Sequence, residues 1–236
     1  MILVLRCAAI AAVTLIISGP VSAAEKRYGL TSFEAIEVLA DVAVEVTTRA
    51  PVSAVATGPQ DALDRISVEA RDGKLVISER KFAGDEARRA PRVAVTVRIN
   101  AANLRSAMLA GAGSLQIDRL KGARVAIGLR GPGRLTVGDV SSDRLSVAMV
   151  GNGAMTLGGR TKQAQMSLSG AGMLDAGGLA ADALTSDSEG AGEHVLHAVK
   201  TAVIAARGIG KTTVLGKPVC TVRNIGSGTV ACGSGK

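Results

Sequence analysis

A glycine triplet that returns at nearly constant spacing constrains this chain more than any other feature. Gly-x-Gly occurs at Gly111-Ala112-Gly113, Gly131-Pro132-Gly133, Gly151-Asn152-Gly153 and Gly170-Ala171-Gly172, and again at Gly190-Ala191-Gly192, Gly208-Ile209-Gly210 and Gly226-Ser227-Gly228. Self-similarity at a fixed period of this size is the mark of a solenoid; the steps between first glycines are 20, 20, 19, 20, 18 and 18 residues. Around each triplet the apolar residues alternate. The first row after it runs Leu115, Leu135, Met155, Leu174, His194, Thr212 and Val230; the second runs Ile117, Val137, Leu157, Ala176, Leu196, Val214 and Cys232. Before it, Val125, Ile127 and Leu129 are followed one period later by Leu145, Val147 and Met149, then by Ala164, Met166 and Leu168. A further row, Leu120, Val140, Leu179, Val199 and Val219, reads as one more buried position per repeat.

A period of two means strands with one buried face. Each repeat is therefore a rung made of a strand, a glycine corner, a second strand and a return turn. Glycine suits the corner because it accepts positive φ and carries no side chain where the backbone bends. Like strands stacked on like strands give parallel sheets with rungs about 4.8 Å apart. A helical reading fails, because the spacing is two and not 3.6, and each interior glycine would cost a helix about 1 kcal/mol. One rung cannot offset its own chain entropy with about five inward side chains, so only a stack folds. The expected fold is an all-β parallel β-helix, or β-solenoid, with rungs of about 20 residues.

The remainder of the chain divides into two parts. Residues 1–23 have signal-peptide anatomy: Arg6 in a short start, an apolar run from Cys7 to Ile17, a break at Ser18-Gly19-Pro20, and Val21-Ser22-Ala23 as a small-residue cleavage site. The run is too short to cross a bilayer comfortably, no later segment is a spanning candidate, and no cysteine opens the mature chain. Residues 24–100 are β-rich but irregular. Strands are expected at Ala35–Val38, Val42–Val46, Ser53–Ala56, Lys74–Ser78 and Val93–Ile99, a helical turn at 59–65, and a charged loop at 81–91. We read this part as a cap and first rungs continuous with the regular rungs of 101–236, one domain spanning 31–230, with a separate small domain as the alternative.

Composition narrows the functional classes. Tyr28, Phe33 and Phe82 are the whole aromatic set, so platforms for stacking sugars, bases or cofactors are scarce. The formal charge of +8 falls to +7 without Arg6, and the bases are spread along the chain without a dense cluster, a pattern that reads as solubility and not as nucleic-acid binding. Cys220 and Cys232 are the only cysteines left after signal removal. Cys220 falls on the inward row of Val125, Leu145 and Leu184, and Cys232 on that of Ile117, Val137 and Leu157, so both point into one core. In an oxidising compartment they are a candidate disulfide tying off the last rung.

Three local patterns suggest chemistry and are set aside. Ala205-Ala206-Arg207-Gly208-Ile209-Gly210-Lys211-Thr212 fits a relaxed P-loop, but its glycines are a repeat corner and a strand follows where a helix is needed. His194 and His197 are three apart on a strand and face opposite sides, so they cannot chelate one ion. His194 is inward, near Ser186, Ser188 and Thr212, where a buried polar patch with each group hydrogen-bonded is expected; a Ser–His catalytic pair lacks an orienting carboxylate. Asp118, Asp139, Asp143, Asp175, Asp182 and Asp187 are scattered as solvated or turn residues and pick out no glycosidase pair. No catalytic, cofactor or metal residue is assigned.

The opening Phe33-Glu34-Ala35-Ile36-Glu37-Val38, Asp41-Val42-Ala43-Val44-Glu45-Val46, Asp72-Gly73-Lys74-Leu75-Val76-Ile77 and the serial rungs such as Leu168-Ser169-Gly170-Ala171-Gly172 resemble the bacterial family known as the putative autotransporter adhesin head, GIN domain. The resemblance covers roughly residues 31–230. It implies a right-handed parallel β-helix in the cell envelope and no catalytic residues. The expected role is a non-enzymatic envelope scaffold or adhesion protein in the periplasm or at the cell surface, with envelope polysaccharide or another envelope protein as partner. A carbohydrate-active β-helix enzyme and a self-assembling stack are the alternatives.

Overall fold

The structure is a computed structural model that describes residues 24–80 and 95–234. The signal-peptide reading and the charged loop at 81–91 lie outside the described residues. In chain order the elements are β1 (Ala24–Tyr28), β2 (Ala35–Val38), β3 (Ala43–Thr48), β4 (Ser53–Gly58), α1 (Gln60–Asp64), β5 (Ile66–Arg71), β6 (Lys74–Glu79), β7 (Thr96–Ala101) and β8 (Ser106–Ala110). They continue as β9 (Ser114–Arg130), β10 (Arg134–Gly151), β11 (Ala154–Gly170), β12 (Met173–Gly190), β13 (Glu193–Gly208), β14 (Lys211–Leu215), β15 (Val219–Ile225) and β16 (Thr229–Ser234).

From β9 onward each long strand bends around one whole rung and pairs in parallel register with the next. Leu115 aligns with Leu135 and Leu135 with Met155; Ile127 aligns with Val147 and Val147 with Met166. The alternating inward side chains are buried from Leu115 to Val214 and form one continuous core. This is the expected parallel β-solenoid. The corners divide the work between two glycines. The first of every triplet has positive φ, between 98° at Gly131 and 130° at Gly226. The second has ordinary φ but leaves no room: a Cβ on Gly172 would lie 2.8 Å from Gly153 O and 2.8 Å from Met149 Cε. Corner amides bond to the corner below, as in Ala191 N to Gly170 O (3.0 Å) and Met173 N to Gly153 O (2.9 Å).

The N-terminal strands enter the stack out of chain order. β2 lies parallel between β6 and β8, and β3 lies parallel between β7 and β9. Val44 and Val46 thus fall in the columns of Leu115 and Ile117, and Ile36 and Val38 in those of Ala107 and Leu109. The chain lays down one rung, passes outward through β4, α1 and β5, lays β6 and β7 outside it, and returns on the other side with β8. Neither β1 nor β5 is among the expected strands. β1 pairs antiparallel with β4, β4 with β7, and β5 with β6. The helical turn forms at α1 and buries Leu63.

One expected row is corrected. Leu120, Val140 and Leu179 are buried, but Val199 and Val219 are 47% and 75% exposed. The step from Gly190 to Gly208 is two residues short, so pairing jumps from Asp175–Val195 to Ala181–Ala198. Ala198 then takes the inward slot, and Val219 pairs with Thr201 on the outer face. In the rung between Gly151 and Gly170, which is one residue short, Gly159 pairs with Val140, and the buried Thr161 shares a hydrogen bond with Ser142 Oγ (2.9 Å).

Candidate functional site

Inside the stack, three columns that are apolar through β11 turn polar at β12 or β13. Met166 aligns with Ser186 and Leu168 with Ser188, while Leu174 aligns with His194 and His194 with Thr212. All four polar side chains are buried, as the sequence placed them. Their hydrogen bonding departs from expectation. Ser188 Oγ reaches Ala205 O only at 3.5 Å, and Ser186 Oγ and His194 Nδ1 have no protein partner. Beside His194 and Thr212 a void of about 10 Å³ remains, lined also by Asn224. Burial holds the His194 imidazole below its usual pKa, with the Glu193 carboxylate opposing more weakly. His197 faces the other way and its Nδ1 lies 3.2 Å from Gly177 O.

At the end of the stack Cys220 and Cys232 form a disulfide with a Cα–Cα distance of 6.3 Å. Cys220 aligns with Ala202, and Cys232 with Val214, so the bond crosses the core between its two inward columns.

Outside the stack, charge is arranged rung against rung. Arg119 pairs with Asp139 (2.9 Å), Lys162 with Asp143 (2.8 Å), Lys200 with Asp182 (2.8 Å), Arg207 with Asp187 (2.7 Å) and Lys211 with Glu193 (3.3 Å), each across neighbouring rungs. The Lys200 hydrogen bond holds the Asp182 carboxyl below its usual range, and the Asp143 hydrogen bond raises Lys162. Asp118 accepts from Thr48 N (2.9 Å) and Arg119 N (2.7 Å), and Asp175 from Gly177 N (3.1 Å). The six aspartates singled out in the sequence are thus spent on local structure and are not gathered around a common groove. Lys211 and Thr212 of the P-loop-like segment lie on strand β14, with Thr212 facing inward. Among the described residues no cluster of three or more His, Cys, Asp or Glu could hold a metal ion, and no helix is long and apolar enough to cross a membrane.

The outer face of the strands that precede each corner carries uncharged side chains in two columns from β8 to β11. One column reads Ser106, Ala126, Ser146, Gln165, Thr185; the next reads Met108, Gly128, Ala148, Ser167 and, on β12, Asp187. At the bend where this face begins, a groove of about 940 Å³ runs along the stack axis from Arg105 to Ala183. Sequence reasoning missed it. The residues have calculable spacing, but the bend that makes them concave carries no motif.

The comparisons with known proteins agree with this architecture. A family model described as putative auto-transporter adhesin, head GIN domain, matches residues 32–218. No curated protein matches the chain. Among crystal structures, a putative adhesin from Bacteroides fragilis is 21% identical with a TM-score of 0.78, the match covering 89% of this chain and 96% of that one. A putative adhesin from Parabacteroides merdae is 17% identical with a TM-score of 0.70, covering 90% and 97%. A putative lipid binding protein from Parabacteroides distasonis is 18% identical with a TM-score of 0.69, covering 90% and 97%. At these identities the likeness is one of fold.

Proposed function

The chain belongs to the putative auto-transporter adhesin head GIN domain family, and from that premise we propose that it is an exported, non-enzymatic binding protein of the cell envelope, whose partner is an envelope polysaccharide or another envelope protein. The observation that carries this reading is the lateral face. Stacking places chemically similar side chains in straight columns about 4.8 Å apart, and Ser106, Ala126, Ser146, Gln165 and Thr185 form such a column over five strands. A rigid, repetitive surface suits a partner that is itself extended or repetitive. Export is supported by the signal-like segment from Met1 to Ala23 and by the Cys220–Cys232 disulfide, since such bonds persist in oxidising compartments.

The test uses the full chain, expressed with its N-terminal segment in a bacterial host and recovered from the envelope fraction. A product that begins at Ala24, and specific retention of envelope polysaccharide or protein on that product when immobilised, are the expected outcomes. Recovery only from the cytoplasm with free thiols, or no retention of any envelope component, refutes the reading.

A further inference from the structure

We infer that the groove at Arg105, Arg124 and Arg144 is a binding site for an acidic polysaccharide lying along the stack axis, an inference that deepens the proposed function and rests on it. Neighbouring rungs of this protein set opposite charges against each other, as in the cross-rung pairs described above. Arg124 and Arg144 break that pattern: they are directly aligned in register, one rung apart. Like charges held opposite each other on a sheet are destabilising. Neither guanidinium has a carboxylate partner among the described residues; Arg144 Nε donates to Gln163 Oε1 at 3.2 Å, and Gln163 is next in the same column. Arg105 lines the groove one rung earlier and carries an exposed ion pair with Glu34 at 2.8 Å.

The groove crosses every strand from β8 to β12, so a ligand lying along it crosses the rungs at the spacing of stacked strands, meeting Arg105, Arg124 and Arg144 in turn and then Gln163 and Ala183. No acidic residue lines it. Planar guanidiniums bind carboxylates in bidentate fashion, and beside them Ser146, Gln163 and Gln165 offer neutral hydrogen-bonding groups suited to sugar hydroxyls. There is no aromatic ring in the lining. A neutral glycan or a single-stranded nucleic acid would find nothing to stack on, so charge and hydrogen bonding must carry recognition, and the fitting ligand bears regularly spaced carboxylates. Such a ligand also relieves the Arg124–Arg144 repulsion, which gives the bound state an advantage that no protein group supplies.

The experiment measures binding of the envelope-purified protein to polygalacturonate, with dextran, duplex DNA and anionic phospholipid vesicles as comparators. The double variant Arg124→Glu, Arg144→Glu is set against Lys217→Glu, Arg223→Glu, which makes the same change in net charge at exposed positions elsewhere. Unchanged thermal melting certifies folding of both. The expected result is salt-sensitive binding to polygalacturonate that weakens at least about tenfold in the groove variant and little in the control. Equal loss in both variants, DNA bound as well as polygalacturonate, or binding to vesicles in place of the polymer each overturns the site. If envelope material is retained but polygalacturonate is not, the site inference falls and the proposed function stands. If nothing in the envelope is retained, both fall.

Discussion

At the N-terminal end of the stack the two sheet columns are closed by strands that run the wrong way to be continued. β4 lies antiparallel on β7 with β1 beyond it, and β5 lies antiparallel on β6. The helical turn α1 joins these closures and buries Leu63. At the C-terminal end nothing comparable occurs among the described residues. β15 pairs only with β13 and β16 only with β14, each on one edge. Val222, in the inward column of Ile204, is 44% exposed, and Ile225 is 50% exposed. One end is finished by packing, the other by a covalent cross-link that closes the loop but covers little. Since a rung gains its stability from both neighbours, the two ends should differ in how much each side chain matters and in what holds them folded.

The largest test of that contrast removes one apolar side chain at each end. Leu75 is fully buried on β6, between β5 and β2. Leu75→Ala should cost about 2–5 kcal/mol, the transfer term plus the cavity left behind. Val222→Ala should cost well under about 1 kcal/mol, because little is buried to lose. Urea unfolding of both variants reads the difference. Equal shifts in midpoint would mean that the C-terminal end is covered in solution, by a second copy of the chain or by another molecule.

The same two regions show what the sequence can and cannot convey. The C-terminal rungs were legible because each column repeats: Leu115, Leu135 and Met155 need no structure to be aligned, and Cys220 and Cys232 were placed inward by counting. Counting fails where the period changes: a constant period puts Val199 and Val219 inward, whereas two missing residues move Ala198 into the slot. The N-terminal closure was less legible because it has no repeat to average over. Lys26 and Arg27 make β1 look like a polar leader, and only its pairing with β4 makes it a strand. β5 alternates as well, with Ile66 and Val68 buried, and at six residues it is longer than β2, so its signal was present and overlooked. The stacking of Arg124 on Arg144 follows from the regular period of the glycine corners; the concavity around them depends on how each long strand bends, which residue spacing does not encode.

The second test removes the cross-link. The two cysteines have a sequence separation of 12, and closing so short a loop is worth about 2–3 kcal/mol in the chain-entropy account. Cys220→Ser with Cys232→Ser should therefore release most of that from the last rung alone. Amide hydrogen exchange should accelerate in β15 and β16 and stay unchanged in β2 and β6, since repeat stacks lose stability locally. Uniform acceleration along the chain would show the stack to unfold as one unit and would dissolve the distinction between its ends.

The smallest effect expected comes from the polar interruption between the ends. His194 sits where the column has Leu115, Leu135 and Leu174, and its burial favours the neutral ring. The unfolded chain, with an ordinary imidazole pKa of 6.5, therefore binds a proton more readily than the folded one. Stability tied to this group is fully present above that value and is lost as pH falls toward the lower folded pKa. The thermal midpoint should drop between pH 8 and pH 5.5, a range above the titration of ordinary carboxylates. His194→Leu, which restores the residue of the neighbouring column, should flatten most of that drop, and Ser186→Val should raise the midpoint at both pH values by replacing an unpartnered buried hydroxyl. If the wild-type drop survives His194→Leu, the pH sensitivity belongs elsewhere. If Ser186→Val lowers the midpoint, the Ser186 hydroxyl is satisfied in solution, and the interruption is a built polar site, not a weak point between two apolar stretches of core.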